Sequence, residues 1–519
     1  MLLSLVMASS LPHEDLYGAA NLKYMCWREE GAGGHRVRLR NRIGCAAVTL
    51  LVLAALPAIA NGQRVKVWVS SNGGDRLAAK EDLEFRKVKA AATSKADFSI
   101  DKSVKYQRME GFGASIMEAG LMTLNTLPAE KQEEVLRALF DPQEGAGFTA
   151  MKTPLAGTDF QSAGPWFTYD DAPGDVDLKN FSIERDFGPN GVGTYILRAR
   201  KYGNFALQAP MDYPPDWMLY DVKKRQDIPP KYYPVLANYF VKYLEEYKKR
   251  GIVVDYLSLF NEPEEVYTKI KYPEIRVLIR DHVGPALAKS GLTTKLMISE
   301  APERGVAARR YPVVLDDPEV RKYVSVIGYH GYDFKNFDKI AALEKRYAQF
   351  PFWMDELCYA YEAGYPKRKK LPIYEFEDGD AWGNIIFNDL EAGTSAWLYW
   401  NAILDETGGP WAISPVHGNP DPNIQHPVVI INKTTHEVTY TGTYWYLAHF
   451  SKFVRPGAVR IGTSGARKGV RAMAFEASDG RYVVELLNSL REVVKVNLAF
   501  DGTTADVELA GRSITTLTW

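Results

Sequence analysis

Cysteine is scarce in this chain of 519 residues, where Cys26, Cys45 and Cys358 are the three examples. Three scattered thiols exclude a disulfide framework and a cysteine-built zinc cluster. A surplus of charge is missing too. The 63 Lys and Arg face 64 Asp and Glu, a net charge of -1, which argues against a nucleic-acid backbone as partner. No glycine-rich phosphate loop follows any candidate strand, so the nucleotide-binding open sheets lack their signature here. No long low-complexity linker divides the chain, and its parts are expected to pack on one another. These absences leave a globular protein for which no metal and no cofactor is expected.

One long apolar run is present. In "RVRLRNRIGCAAVTLLVLAALPAIANGQ" four arginines (Arg36, Arg38, Arg40 and Arg42) precede an apolar stretch over 43–60 that closes on Ala58-Ile59-Ala60. This is the layout of an export signal with a small-residue cleavage site, and Met25 would begin a leader of more ordinary length. The alternative is a membrane anchor, which would have to tolerate Pro57. Cleavage near Ala60 predicts a secreted or periplasmic protein; an uncleaved run predicts a membrane-anchored one.

Aromatic residues are plentiful, with 30 Tyr and 11 Trp. They suit a flat, uncharged ligand such as a sugar, whose C–H faces stack on rings while its hydroxyls seek polar partners. From about residue 110 short β-branched or aromatic runs alternate with amphipathic ones. Candidate strands fall at 111–116, 147–156, 203–210, 253–260, 294–301, 324–332, 351–357 and 394–402. The clearest helix is "PVLANYFVKYLEEYKKRG", where Leu236, Phe240, Tyr243, Leu244 and Tyr247 form one stripe between Pro234 and a capping Gly251. Eight strands, each followed by helix or crossover, predict an α/β fold, a (β/α)₈ TIM barrel. After Pro456 the pattern becomes period-2 runs with turns, an all-β module. An N-terminal strand within 61–104 is expected to join it. The expected division is an export region (1–60), an N-terminal strand segment (61–104), a catalytic barrel (105–454) and a C-terminal β-sandwich (455–519).

In such barrels the working groups sit at the C-terminal ends of strands. Two glutamates meet that condition. Glu262 closes the fourth candidate strand in "SLFNEPEE", where Pro263 is expected to hold it extended, and Glu356 closes the seventh in "FWMDELC". Glycosidic hydrolysis needs two carboxyls about the anomeric carbon, one to protonate the leaving oxygen and one to attack or to activate water. The bland alternative is a pair of rim acids. Asn261 favours the first reading, since an amide beside the acid can hold a sugar hydroxyl. Cys358 reads as a buried small side chain, and "PKRKK" at 366–370 as a solvated loop.

The chain resembles glycoside hydrolase family 30. The resemblance runs through "MEGFGASIMEAG", "TPLAGTDF", "TYDDAPGDVDLKNFSIERD", "LFNEPE", "GYHGYD", "FWMDELC", "WLYWNAILDETGGP" and "YLAHFSKFVRPGAVRIG", in the family's order. It implies a barrel with a β-sandwich, and a retaining mechanism with Glu262 as acid/base and Glu356 as nucleophile. It also implies sugar contacts from Asp159, Asn261, His330, Tyr332 and Trp400. Trp217 is expected to be no more than a wall residue. The expected substrate is a carbohydrate or a glycolipid, most simply a β-glucoside of the glucosylceramidase kind, with transient contact to a membrane surface if it is a glycolipid. A β-1,6-glucan, xylan or related β-glycan is the alternative within the family, and a non-catalytic carbohydrate-binding protein the alternative outside it. The chain departs from the family at the mouth of the site. Met211 stands where a stacking tryptophan is usual, with Tyr213 as its expected substitute, Gly331 replaces a bulky neighbour, and "GGPW" lacks an asparagine.

Overall fold

The computed structural model describes residues 63–89, 93, 95–158, 160–161, 167–221, 227–264, 268–359, 376, 378–409 and 425–519. The export-signal reading, Asp159, the "PKRKK" run and the Pro-Trp of "GGPW" lie outside the described residues. Among the described residues, no helix is long and apolar enough to cross a membrane.

The chain enters through three strands, β1 (Gln63–Ser71), β2 (Ala78–Lys87) and β3 (Phe98–Arg108). It then builds eight parallel strands: β4 (Gly111–Ser115), β5 (Ala150–Lys152), β6 (Ala206–Pro210), β7 (Tyr256–Ser258), β8 (Lys295–Ala301), β9 (Val324–His330), β10 (Phe352–Glu356) and β11 (Thr394–Asn401). They pair in chain order, and β11 returns to β4, closing a barrel. All eight fall within the expected segments. The helix Tyr233–Lys249 carries the five-residue stripe, all of it buried, and Gly251 follows with φ +82°, the left-handed geometry that ends a helix.

Inside the barrel the two-residue period of a strand stacks apolar residues low and polar ones high. Ala150, Met297, Val326, Trp353, Ala396 and Leu398 form a buried floor. Two residues further on, Lys152 and Asp355 stand above Ala150 and Trp353, and Trp400 stands above Leu398. Gly113 on β4 lets its neighbour close up, since a Cβ there would meet the Ala150 carbonyl at 1.9 Å.

A short sheet of β12 (Ile403–Asp405), β13 (Val429–Ile431) and β14 (Val438–Tyr440) precedes the helix Gly442–Phe453. The remaining strands are β15 (Val459–Gly465), β16 (Val470–Glu476), β17 (Tyr482–Asn488), β18 (Val494–Phe500), β19 (Thr503–Leu509) and β20 (Ser513–Thr518). With β1 to β3 they form one closed ring in the order β1-β2-β19-β18-β3-β15-β16-β17-β20. Three N-terminal strands take part, where the sequence led us to expect one. β2 is largely exposed along its length, so it lacks the apolar alternation that marks a strand. The buried cluster containing Trp382 and Phe450 continues into Phe475, Leu487 and Ile514 of the all-β part, so the two parts share a core.

Candidate active site

Lys152 ends β5, Glu300 lies near the end of β8, His330 ends β9, Glu356 ends β10 and Trp400 lies near the end of β11. Asn261 and Glu262 follow β7 and close onto β8. Asn261 bridges Glu300, and the Glu262 N–H donates to the Glu300 carbonyl at 3.0 Å. Glu262 therefore sits beyond the strand, with φ +45°. The expectation of an extended residue held by Pro263 is corrected: the hydrogen bond to β8 and the turn of the side chain onto His330 impose a left-handed backbone. Such backbone geometry in a non-glycine residue costs energy and is concentrated at functional sites.

Strand irregularities aim the acids. By strict alternation Glu356 would face away from the interior that Asp355 faces, but the pairing of β10 with β9 shifts register between Met354 and Glu356. The pairing of β8 with β9 shifts likewise between Ile298 and Ala301, around Glu300. Such irregularities re-aim side chains at barrel rims. Both carboxylates reach one ammonium, with Lys152 Nζ 2.7 Å from Glu356 Oε2 and 2.5 Å from Glu300 Oε2.

His330 is fully buried and joins the acids. Its Nδ1 lies 2.8 Å from Glu262 Oε1, and its Nε2 lies 3.1 Å from Glu300 Oε2 and 3.5 Å from Glu356 Oε2. Burial opposes its charge, but the Glu356 carboxylate and the hydrogen bonds to Glu262 and Glu300 carry its pKa up to about 10. Both ring nitrogens then donate. Burial raises the Glu262 carboxyl above its ordinary value, against the pull of His330 and with the support of Glu356. Glu300 is the opposite case: burial resists its charge, yet Lys152 and His330 hold it down to about 2.

Tyr332 donates its hydroxyl to Glu356 Oε1 at 2.8 Å. Asn261 Oδ1 accepts from Lys152 at 3.2 Å, and the Lys152 ammonium lies 5.1 Å from the Trp400 ring centroid. The structure thus brings Glu262, Glu356, Asn261, His330, Tyr332 and Trp400 together. Trp217 stands apart, donating its indole N–H to the Asp170 carbonyl at 2.9 Å with its ring edge-on to Tyr232. Tyr213, the expected substitute for a stacking ring, is buried beside a buried Met211. Cys358 is buried, its sulfur 3.7 Å from the Tyr332 hydroxyl.

Sequence reasoning missed Lys152, Glu300, Asp355 and Gln208. A charge inside an apolar strand was the available signal in "TAMKTP", "LMISEA" and "FWMDEL", because a buried charge is costly unless paired. Carboxylate oxygens of Glu262 and Glu356 and a His330 nitrogen lie within 4.8 Å of one another, as do ligand atoms of Glu300, His330 and Asp355. Such spacing could suit a metal ion, but the Lys152 ammonium already binds the Glu300 and Glu356 oxygens as the site's own cation.

A closed parallel barrel carrying two carboxyls at the C-terminal rim of its strands, one made less acidic by burial and one paired with a cation, is the architecture of a barrel glycosidase. Comparison with known proteins agrees. Residues 109–454 match the glycosyl hydrolase family 30 TIM-barrel domain and residues 457–517 the glycosyl hydrolase family 30 beta sandwich domain. "Putative glucosylceramidase 4" of Caenorhabditis elegans is 29% identical over 485 residues, 89% of each chain. The lysosomal acid glucosylceramidase of Mus musculus is 27% identical over 77% of this chain and 79% of its own. An endo-1,6-beta-D-glucanase of Neurospora crassa is 24% identical over 78% of this chain and 84% of its own. The chain belongs to glycosyl hydrolase family 30 and is a glycoside hydrolase.

Proposed function

We propose that the protein is a secreted, retaining β-glycosidase, most simply a glucosylceramidase-like β-glucosidase, with Glu262 as acid/base and Glu356 as nucleophile. The observation that carries the reading is the approach of carboxylate oxygens of Glu262 and Glu356 to within 4.8 Å. Inverting enzymes need a wider gap, roughly 6.5–9.5 Å, to seat a water. A Glu356 oxygen attacks the anomeric carbon while the bond to the leaving oxygen breaks and Glu262 protonates that oxygen. Water then attacks the glycosyl ester, Glu262 takes its proton, and Glu356 leaves as carboxylate. Lys152 and Tyr332 hold one oxygen of Glu356 each, which orients the attack. Asn261, Trp400 and Asp159 are assigned to sugar contact.

The glucosylceramidase-like choice is supported by the two glucosylceramidase relatives. A β-1,6-glucanase reading is favoured instead by the Neurospora relative, together with the altered ring complement at Met211 and Gly331. Aryl β-glycosides, glucosylceramide, β-1,6-glucan and xylan, with the product anomer followed by NMR, decide between them. Retained β product from glucosylceramide is expected, and inverted product would refute the two-step route. Secretion rests on the arginine-led apolar run at 43–60, and N-terminal sequencing of exported material should begin just after Ala60.

A further inference from the structure

Beneath the two catalytic acids lies a second layer of charge with no direct place in the two-step reaction. Among the described residues the cluster holds four carboxyls, Glu262, Glu300, Asp355 and Glu356, and two groups that can be cations, Lys152 and His330. Asp355, Glu300, Lys152 and His330 are at most 1% exposed. A buried site tolerates little net charge, so two cations can balance two anions, and two of the four carboxyls must carry protons.

The contacts say which. His330 shares its two nitrogens between Glu262 at 2.8 Å and Glu300 at 3.1 Å, whereas Lys152 binds Glu300 and Glu356 and not Glu262, so Glu300 and Glu356 are the anions. Asp355 receives one bond, from Gln208 Nε2 to Oδ2 at 2.8 Å, and the same amide donates to Glu300 Oε1 at 2.6 Å. Its other oxygen, Oδ1, is buried without a hydrogen-bond partner among the described residues and lies 4.0 Å from His330 Nε2. Gly328 makes room for this carboxyl, since a Cβ there would meet Asp355 Oδ2 at 2.4 Å. The nearby Tyr311 hydroxyl donates to the Gly328 carbonyl, with the Ser299 carbonyl also in reach at 2.9 Å, accepts from the Ala301 N–H at 2.8 Å, and brings no charge.

We propose that Asp355 stays protonated and Glu300 stays ionised throughout turnover, as positioning residues that hold the cluster at two cations and two anions and so tie the proton of Glu262 to the charge of Glu356. This rests on the assignment of Glu262 and Glu356 given above. In the resting enzyme the anions are Glu300 and Glu356. When Glu356 becomes a neutral glycosyl ester, Glu262 has just given its proton to the leaving group, and the anions are Glu300 and Glu262. The count is the same in both states, and neither step has to place an unpaired charge in the barrel. Burial and the neighbouring Glu300 carboxylate push Asp355 well above the ordinary carboxyl range, in keeping with this assignment.

The test compares two variants with an independent spectrum. The alkaline limb of kcat/KM reports loss of the Glu262 proton in the free enzyme. Glu300→Gln removes an anion, so that limb should move down by about one pH unit or more. Asp355→Asn replaces one neutral group by another, so the limb should stay in place whatever the height of the profile. A limb in Asp355→Asn that falls as far as in Glu300→Gln, or a Glu300→Gln limb that does not move, would overturn the proposal. Should either variant fail to fold, the wild-type protein labelled with ¹³C at the aspartate side-chain carboxyl decides. Its infrared spectrum above the alkaline limb should keep the band of a protonated, buried aspartic acid, and loss of that band overturns the proposal. Failure of the catalytic assignment shows separately, as turnover by Glu356→Gln, and leaves the infrared result unaffected.

Discussion

At the scale of single residues, two kinds of side chain do different work around one sugar position. Glu356→Gln keeps the shape and removes the charge that attacks, so turnover on every β-glycoside should vanish while the thermal transition persists. Lys152 is structural as well as electrostatic. Replacing it with methionine strands two buried carboxylates, and breaking a buried pair typically costs about 3–5 kcal/mol; urea titration should show a loss of that order. Gly331 is packed tightly against its neighbours. A Cβ there would come within 2.8 Å of Arg304 Nη2 and 2.9 Å of Leu357. Arg304 cannot retreat, being buried and held at 2.8 and 2.7 Å by the two oxygens of Asp389. Gly331→Ala should therefore cost about 1–3 kcal/mol, measured by the same titration.

At the scale of elements, the helix Gly442–Phe453 is fastened to the all-β part by a directional chain of hydrogen bonds. His449 contacts Ser70 of β1 at 2.9 Å and Thr516 of β20 at 2.6 Å, and Thr516 donates to Glu485 of β17 at 2.7 Å. Glu485 is fully buried, its second oxygen has no partner among the described residues, and burial pushes its pKa up to about 8, against the Thr516 bond. The unfolded chain releases this proton near the ordinary carboxyl value and the folded one near 8. The contribution is thus fully present at low pH and is lost progressively as pH rises towards 8. Glu485→Gln should keep the Thr516 bond and gain about 1 kcal/mol or more at pH 8 while changing little at pH 4, read from melting temperatures at the two pH values.

At the scale of the whole molecule, the barrel and the all-β ring share one buried cluster, and the ring is completed by strands from both ends of the chain. Tryptophan fluorescence, which reports the barrel through Trp353 inside it and Trp397 on its outer face against Asp389, and the ring through Trp68 and Trp519, should lose its native signal in the same urea range as far-UV circular dichroism. Two separated transitions would contradict a continuous core.

Much of this was open to reading from the chain alone. Period-2 and helical patterns located all eight barrel strands because burial on both faces forces continuous apolar runs, and closure then placed Glu262 and Glu356 on one rim. β15 lacks a legible alternation: its buried residues are Ile461 and Gly462 alone in a run that ends in glycine, and besides its hairpin neighbour β16 it pairs with β3, some 350 residues earlier in the sequence. The orientation of Glu300 and Glu356 depends on register shifts between neighbouring strands, and a one-residue offset in pairing leaves no mark in either strand's own pattern. The proton balance is also a property of the assembled site. Lys152, Glu300 and Asp355 lie far apart in the sequence, and their charges interact only once the barrel has closed and excluded water between them. Sequence by itself determined which residues could do the chemistry; tertiary structure decided which of them carry charge, because ionisation depends on neighbours that only folding supplies.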